Sequence, residues 1–320
     1  MEVKSQVIVT DFPWKDLSCE QNILLPQDIE LVGFQCNTEE EVLAACKDAD
    51  GVITNLSPIS AQVIQGMKKC RVISRYGVGY NNVDIKAASN KGIIVCNVPD
   101  YCFDEVADHA FALMLALARK LNACIQGARD GSWNYSLYKP IFRLRGKVLG
   151  LVGFGSIARN LARKAQSFGL KIVAFDPYVS HEKMEQLAVS PVDLDHLCRV
   201  SDIVSIHVPL TDSTRGLIGQ RQLEKMKPTA ILINTARGPV VDEDALINAL
   251  QAKMIAGAGL DVVKKEPIDV NNPLLIMPNV IVTPHMSWYS EEAEEELRMK
   301  AANNVLSVLK GGNPRYRVNS

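Results

Sequence analysis

Apolar positions in this chain fall into short runs that alternate with segments spaced for helices. β-Branched runs stand at Val7–Val9, Val52–Thr54, Val72–Ser74 and Ile93–Cys96, and Glu39–Lys47 and Ser60–Met67 between them carry apolar residues at helical intervals. This alternation predicts a small parallel α/β layer. Next comes Asp104–Lys120, a helix so apolar that it must be covered on most sides. From Lys147 the alternation resumes, with cleaner strand-like runs at Val148–Val152, Ile172–Phe175, Ile203–Val208, Ile231–Asn234, Ala258–Val262 and Val280–Thr283. Near-continuous apolar runs of this length describe strands covered on both faces, as in a doubly wound sheet. Glu291–Lys310 reads as a closing helix, with Ser290 as its N-cap and Glu291 and Glu292 at the favourable end of its dipole.

A chain of 320 residues suits two domains and a ligand cleft between them. Its 47% hydrophobic and 22% charged residues describe an ordinary folded core, which removes the disordered and fibrous classes. The 35 Lys and Arg balance 36 Asp and Glu, so no global positive field exists to hold nucleic acid or an anionic membrane. The longest apolar stretch, Ala110–Ala118, is far shorter than the roughly 20 residues of a membrane-spanning helix. Met1-Glu2-Val3-Lys4 leads into the first strand with no secretory signal, which predicts a cytoplasmic protein. The eight cysteines form no Cys-x-x-Cys pair and read as reduced, mostly buried thiols, with no metal site.

Gly153-Phe154-Gly155-Ser156-Ile157-Ala158 follows a strand and opens a helix that runs through Gln166. The first glycine permits a tight turn, and the second lets backbone amides approach a pyrophosphate at the helix N-terminus. Ala158 replaces a third glycine at a position that needs only a small side chain. Asp176 ends the next strand, 21 residues after Gly155. A carboxylate there accepts from the adenosine ribose hydroxyls and repels a 2′-phosphate, so NAD is the expected cofactor rather than NADP.

Three further residues follow consecutive apolar strands on the edge where this turn begins. Arg237 follows Asn234-Thr235-Ala236, Glu266 lies in the loop after Leu260-Asp261-Val262, and His285 follows Pro284. Hydride transfer to a ketone leaves negative charge on oxygen, so the site needs a proton donor with a near-neutral pKa. Histidine, with a reference value of about 6.5, is the natural choice. A glutamate orients the ring and stabilises its protonated form, and an arginine holds a substrate carboxylate and polarises the carbonyl.

The chain resembles the D-isomer-specific 2-hydroxyacid dehydrogenase family over nearly its whole length. The matching segments are 75–84, Asn97-Val98-Pro99, the 153–158 turn, His207-Val208-Pro209-Leu210-Thr211, Asn234-Thr235-Ala236-Arg237-Gly238 and Pro284-His285. The resemblance implies an α/β architecture of two doubly wound parallel-sheet domains. One is a discontinuous flavodoxin-like substrate domain (1–100 plus 289–320), the other a Rossmann NAD-binding domain (101–288). It implies Arg237, Glu266 and His285 as the catalytic set. It further implies cofactor contacts at Gly153, Gly155, Ser156, Ile157, Asp176, His207, Pro209, Thr214, Thr235, Ala236 and Asp261, the last holding the nicotinamide carboxamide. Substrate carboxylate is expected on the backbone of Gly77, Val78 and Gly79, and homodimerisation through the region around Asp104–Lys147.

Trp288, Cys96-Asn97-Val98-Pro99 and Glu105-Val106-Ala107-Asp108 look like the C-terminal-binding protein and phosphoglycerate-dehydrogenase-like branch, in which Arg75 and Trp288 line the substrate pocket. Two functions stay open at this point. One is reversible hydride transfer between NADH and a small 2-keto acid, and the other is an NAD(H)-sensing, corepressor-like binding protein. His109, on the apolar helix, reads as structural, and His181 and His196 as exposed.

Overall fold

A computed structural model describes residues 5–319. The Met1–Lys4 opening and Ser320 lie outside the described residues. The chain divides into two compact units, Met1–Cys102 with Ser290–Ser320, and Phe103–Tyr289. No helix among the described residues is long and apolar enough to cross a membrane, and no disulfide joins the cysteines.

The first unit is built on β1 (Ser5–Val9), β2 (Ile29–Gly33), β3 (Gly51–Thr54), β4 (Val72–Arg75) and β5 (Ile94–Cys96). All pairings are parallel, in the order β2-β1-β3-β4-β5. That order reverses between β1 and β3, the switch point of a flavodoxin-like sheet. The helix Glu291–Leu309 returns to this unit and packs on β3 and β4, burying Ala301, Ala302 and Val305. Ser290 caps it, its hydroxyl accepting from the Ala293 N–H at 3.0 Å, as the serine before an acidic first turn predicts.

The second unit carries β6 (Val148–Val152), β7 (Lys171–Phe175), β8 (Val189–Pro191), β9 (Ile203–Ile206), β10 (Ile231–Asn234), β11 (Gly257–Leu260) and β12 (Val280–Val282). They form one parallel sheet ordered β12-β11-β10-β9-β6-β7-β8, with its reversal between β6 and β9. Both faces are covered, and the period-2 alternation assigns side chains to them. Leu149, Leu151, Ile231 and Ile233 join Ala107, Ala110, Leu113 and Met114 of the Phe103–Ala118 helix. Val152, Leu232 and Leu260 join Leu246 and Leu250 on the opposite face.

The structure departs from the sequence pattern in three ways. The strands β2 and β8 lie at sheet edges, where short, partly exposed segments, one ending in Pro191, carry little apolar signal. The apolar runs overshoot β9, β11 and β12, because Val262 and Val263 stay buried after the ladder ends and Val208 packs on the core. The apolar helix is fully buried along one face only: Val106, Ala107, Ala110, Leu113 and Met114 are buried, whereas Ala112 is exposed. It stops at Ala118, and Lys120 enters the left-handed region before a second helix, Leu121–Arg129.

One ion pair ties the chain ends of the first unit together. Glu20 is fully buried and receives two bonds from Arg298, Nε at 2.9 Å and Nη2 at 2.8 Å. Arg298 also donates to the Asp16 carbonyl at 2.7 Å and lies over the Trp14 ring. Removing one partner of such a pair leaves an uncompensated buried charge. Arg298→Met is therefore expected to lower the unfolding free energy by about 3–5 kcal/mol, measured by urea denaturation. A loss below about 1 kcal/mol, the value of an exposed pair, would contradict this account.

Candidate active site

Because β10, β11 and β12 are neighbours, their carboxyl ends bring three loops together. After β10, the buried Asn234 side chain folds back on its own turn, its Oδ1 accepting from Ala236 N at 3.0 Å and its Nδ2 donating to Arg237 O at 3.0 Å. Arg237 Nη1 donates to the Ala236 carbonyl at 2.6 Å. Gly238 must be glycine, since a Cβ there would stand 1.9 Å from the Val263 carbonyl oxygen. The loop after β10 is thus pressed against the loop that carries Glu266.

His285 adopts φ +52°, a left-handed conformation that a non-glycine residue keeps only when its surroundings over-determine it. Here they do. Its N–H donates to the Asp261 and Thr283 carbonyls at 2.9 and 3.0 Å. The buried Asp261 carboxylate accepts from Thr283 Oγ1 at 2.6 Å, Met286 N at 3.0 Å and Ser287 N at 2.9 Å. Thr283 gives its proton to Asp261, so at 2.9 Å it accepts from His109 Nε2.

His285 Nδ1 lies 2.6 Å from Glu266 Oε2, and Glu266 Oε1 accepts from Val263 N at 3.1 Å. Burial pushes the Glu266 carboxyl up, but the bond and charge of His285, the Val263 N–H and the Arg237 guanidinium outweigh it and hold the pKa below the usual glutamate value. An ionised carboxylate only accepts, so Nδ1 carries the hydrogen of this bond. Nε2 is then the ring nitrogen that can exchange a proton with a ligand. Both side chains stay more than a third exposed, 39% for His285 and 36% for Glu266.

The dinucleotide turn lies at the switch point. Gly153 has φ +90°, and a Cβ on it would meet the His207 carbonyl oxygen at 2.7 Å, which locks the turn after β6 against the end of β9. A Cβ on Gly155 would meet open space at the N-terminus of the Ser156–Ser167 helix. Ser156 is exposed and Ile157 half-buried. Asp176 is held at the end of β7 by the Phe154 and Tyr178 N–H groups, each at 2.8 Å. His207 Nε2 pairs with Ser205 Oγ at 2.8 Å, and burial pushes its pKa down to about 4, so the ring is neutral near pH 7. Pro209 and Thr214 share a loop pinned by Thr214 Oγ1 on the Pro209 carbonyl at 2.6 Å. Thr235, beside Ala236, buries a hydroxyl that has no partner among the described residues. An open cradle over Gly155, a helix N-terminus and an orphan hydroxyl fit a dinucleotide.

The remaining candidates divide between the units. In the first, Arg75 ends β4, donates from Nε to Asn55 O at 3.2 Å, and lies so close to Gly77 that a Cβ there would stand 1.8 Å from Nη1. The Gly77 carbonyl accepts from Val98 N at 3.0 Å and the Val78 carbonyl from Asn97 Nδ2 at 2.8 Å. In a trans peptide the N–H opposes the C=O, so the Val78 and Gly79 N–H groups both turn away from the Asn97–Val98 segment. In the second unit, Trp288 is half-buried and meets Tyr289 edge-on at 5.5 Å.

Residues 111–287 match the family model described as D-isomer specific 2-hydroxyacid dehydrogenase, NAD binding domain. The chain belongs to this family. It is 39% identical over 286 residues to a glyoxylate reductase of Korarchaeum cryptofilum, covering 88% of this chain and 86% of that protein. It is 41% identical over 268 residues to a D-3-phosphoglycerate dehydrogenase of Archaeoglobus fulgidus, covering 84% of this chain but 51% of that protein, so it spans about half that relative's length. Among solved structures, the D-lactate dehydrogenase of Aquifex aeolicus complexed with NAD and lactic acid superposes with a TM-score of 0.86 at 28% identity, covering 95% of this chain and 96% of that one.

For a member of this dehydrogenase family, several supporting residues escaped the sequence pattern. Asn234 ends β10 and Thr283 follows β12, each an isolated polar residue after an apolar run, a signal that marks them only once the strand ends are known. Asp261 has a role besides the cofactor contact implied by resemblance, as the acceptor that shapes the His285 loop. Asp261→Ala removes the acceptor of two amides, so hydrogen exchange across 283–288 should accelerate at least about tenfold while that of β6 is unchanged. Unaltered exchange at Met286 and Ser287 would refute the anchoring role.

Proposed function

We propose that this protein reduces small 2-keto acids of the glyoxylate or hydroxypyruvate type to D-2-hydroxy acids with NADH, and runs the reverse reaction with NAD. The observation that carries this reading is the 2.6 Å contact between His285 Nδ1 and the ionised Glu266. Bound NADH supplies the hydride. His285 supplies the proton from Nε2 to the oxygen as negative charge develops there, and Glu266 favours the imidazolium and fixes its ring. Arg237 neutralises the substrate carboxylate and polarises the carbonyl. On the first unit, the paired Val78 and Gly79 N–H groups form an anion nest that suits a substrate carboxylate.

Gly153, Gly155, Ser156 and Ile157 take the pyrophosphate, and Asp176 takes the ribose hydroxyls. Neutral His207, Pro209, Thr214, Thr235 and Ala236 line the remaining cofactor path, Asp261 contacts the carboxamide, and Arg75 and Trp288 select among substrates. The similarity to glyoxylate and hydroxypyruvate reductases favours turnover over a corepressor-like sensing role.

NADH oxidation across glyoxylate, hydroxypyruvate, pyruvate, phenylpyruvate and phosphohydroxypyruvate should reveal turnover that His285→Ala reduces by at least about 100-fold, the usual contribution of a positioned acid. Glu266→Gln removes the anion that fixes the His285 ring and should lower the rate in the same assay; an unchanged rate would remove Glu266 from the catalytic set. Equal rates for wild type and His285→Ala would remove His285 as the acid, and a preference for NADPH would overturn the role of Asp176.

The reading extends to a homodimer, which the family resemblance implies, and to a cytoplasmic location. Leu121, Ile125, Trp133, Tyr135, Leu137 and Phe142 are all exposed, Trp133 to 93%, and a concentration of apolar side chains this large marks a contact surface. Light scattering at micromolar concentration should give twice the chain mass, and Ile125→Asp with Trp133→Ser should return it to one. A wild-type monomer under those conditions would refute the dimer.

A further inference from the structure

The Gly77-Val78-Gly79 loop has a glycine on each side of its central residue, so its two peptide units could rotate unless something holds them. The Val98 N–H holds the Gly77 carbonyl at 3.0 Å, and two buried relays, both beginning on the Glu291–Leu309 helix, reach the Val78 carbonyl and the residue before Gly77. In the first, Asn304 Nδ2 donates to the Asn97 carbonyl at 3.0 Å, and Asn97 Nδ2 donates to the Val78 carbonyl at 2.8 Å. Asn304 and Asn97 are 3% and 7% exposed, so neither amide has water as an alternative partner. In the second, Arg298 fixes Glu20, and Glu20 Oε1 accepts from the Tyr76 hydroxyl at 2.9 Å. Tyr76 immediately precedes Gly77, is 1% exposed, and meets Trp14 edge-on at 4.7 Å. Its own N–H is held by the Thr54 carbonyl at 2.8 Å. Burial and the Glu20 charge keep its hydroxyl protonated far above the usual range, so it acts as a donor throughout.

We propose that Asn97 and Tyr76 are positioning residues for substrate, which keep the Val78 and Gly79 N–H groups aimed at the substrate carboxylate: Asn97 fixes the carbonyl side of the Val78–Gly79 peptide, and Tyr76 anchors the residue from which the loop departs. This rests on the reading of that loop as the carboxylate site. Losing the Asn97 bond lets the Val78–Gly79 peptide flip, which turns a donor away and brings a carbonyl oxygen toward an anion. The C-terminal helix of the first unit therefore sets affinity for the keto acid without touching it.

The test uses the full chain with Asn97→Leu, which has nearly the same shape but no donor, and Tyr76→Phe, which removes one hydroxyl and is the less disruptive of the two. Steady-state reduction of the best keto acid is measured beside NADH affinity by fluorescence and binding of oxamate, a non-reducible carboxylate mimic, to the NADH complex. The expected result is a KM and an oxamate dissociation constant raised about tenfold for Asn97→Leu, the equivalent of one lost hydrogen bond. Tyr76→Phe should raise both severalfold, with NADH affinity unchanged in each. A variant that merely folds less completely would lower kcat and leave KM and oxamate affinity as they were, and that outcome in Tyr76→Phe overturns the proposal. A wild-type enzyme that reduces keto acids while both variants keep its KM overturns the positioning role alone. Absence of wild-type turnover on every keto acid defeats the functional reading itself, and this inference with it.

Discussion

The Asp261 carboxylate, 1% exposed, accepts three hydrogen bonds from the loop that carries His285, and its carbonyl takes the His285 N–H. A carboxylate withdrawn from water needs hydrogen-bond partners, and the 283–287 backbone supplies them on a path in which His285 is left-handed and its Nδ1 meets Glu266. The strained residue is thus the candidate proton donor. His109, on the Phe103–Ala118 helix, extends the network by bonding Thr283 at 2.9 Å.

Charge in the second unit is distributed by the same logic of burial and partnership. Glu266 stays ionised because His285, Val263 and Arg237 all favour its anion against the burial that opposes it. His207 pairs with the Ser205 hydroxyl, and burial holds its ring neutral near pH 7. Two histidines on one sheet edge thus have different partners, a hydroxyl for His207 and a carboxylate for His285.

Backbone approach supplies the other half of the architecture. Gly153 against His207, Gly238 against Val263 and Gly77 against the Arg75 guanidinium are places where a single Cβ would collide at 2.7, 1.9 and 1.8 Å. The first two join loops at the carboxyl edge of the second unit's sheet, where ligands of such folds bind, and the third sets the loop after β4 against the side chain that ends that strand. In the first unit the loop is also gripped by the buried Glu20–Arg298 pair through Tyr76, so one network serves stability and the shape of the loop together.

Much of this was legible in the chain. Periodicity located ten of the twelve strands among the described residues, because a strand buried on both faces must be apolar throughout, and it missed β2 and β8 because edge strands need not be. The glycines of the dinucleotide turn and the ends of β10 to β12 marked where chemistry could sit, since parallel pairing sends every carboxyl end to one edge. The sequence by itself therefore determined the family, the sheet edge and the residue types available for hydride transfer. Only the tertiary structure decided which of those residues meet, that burial keeps His207 neutral, and that Asp261, Asn234 and Asn97 bond to the loops at the sheet edges. Those roles depend on hydrogen bonds between residues far apart along the chain, such as Asn304 to Asn97 and Glu20 to Arg298, and no local pattern of hydrophobicity or spacing encodes a contact of that kind.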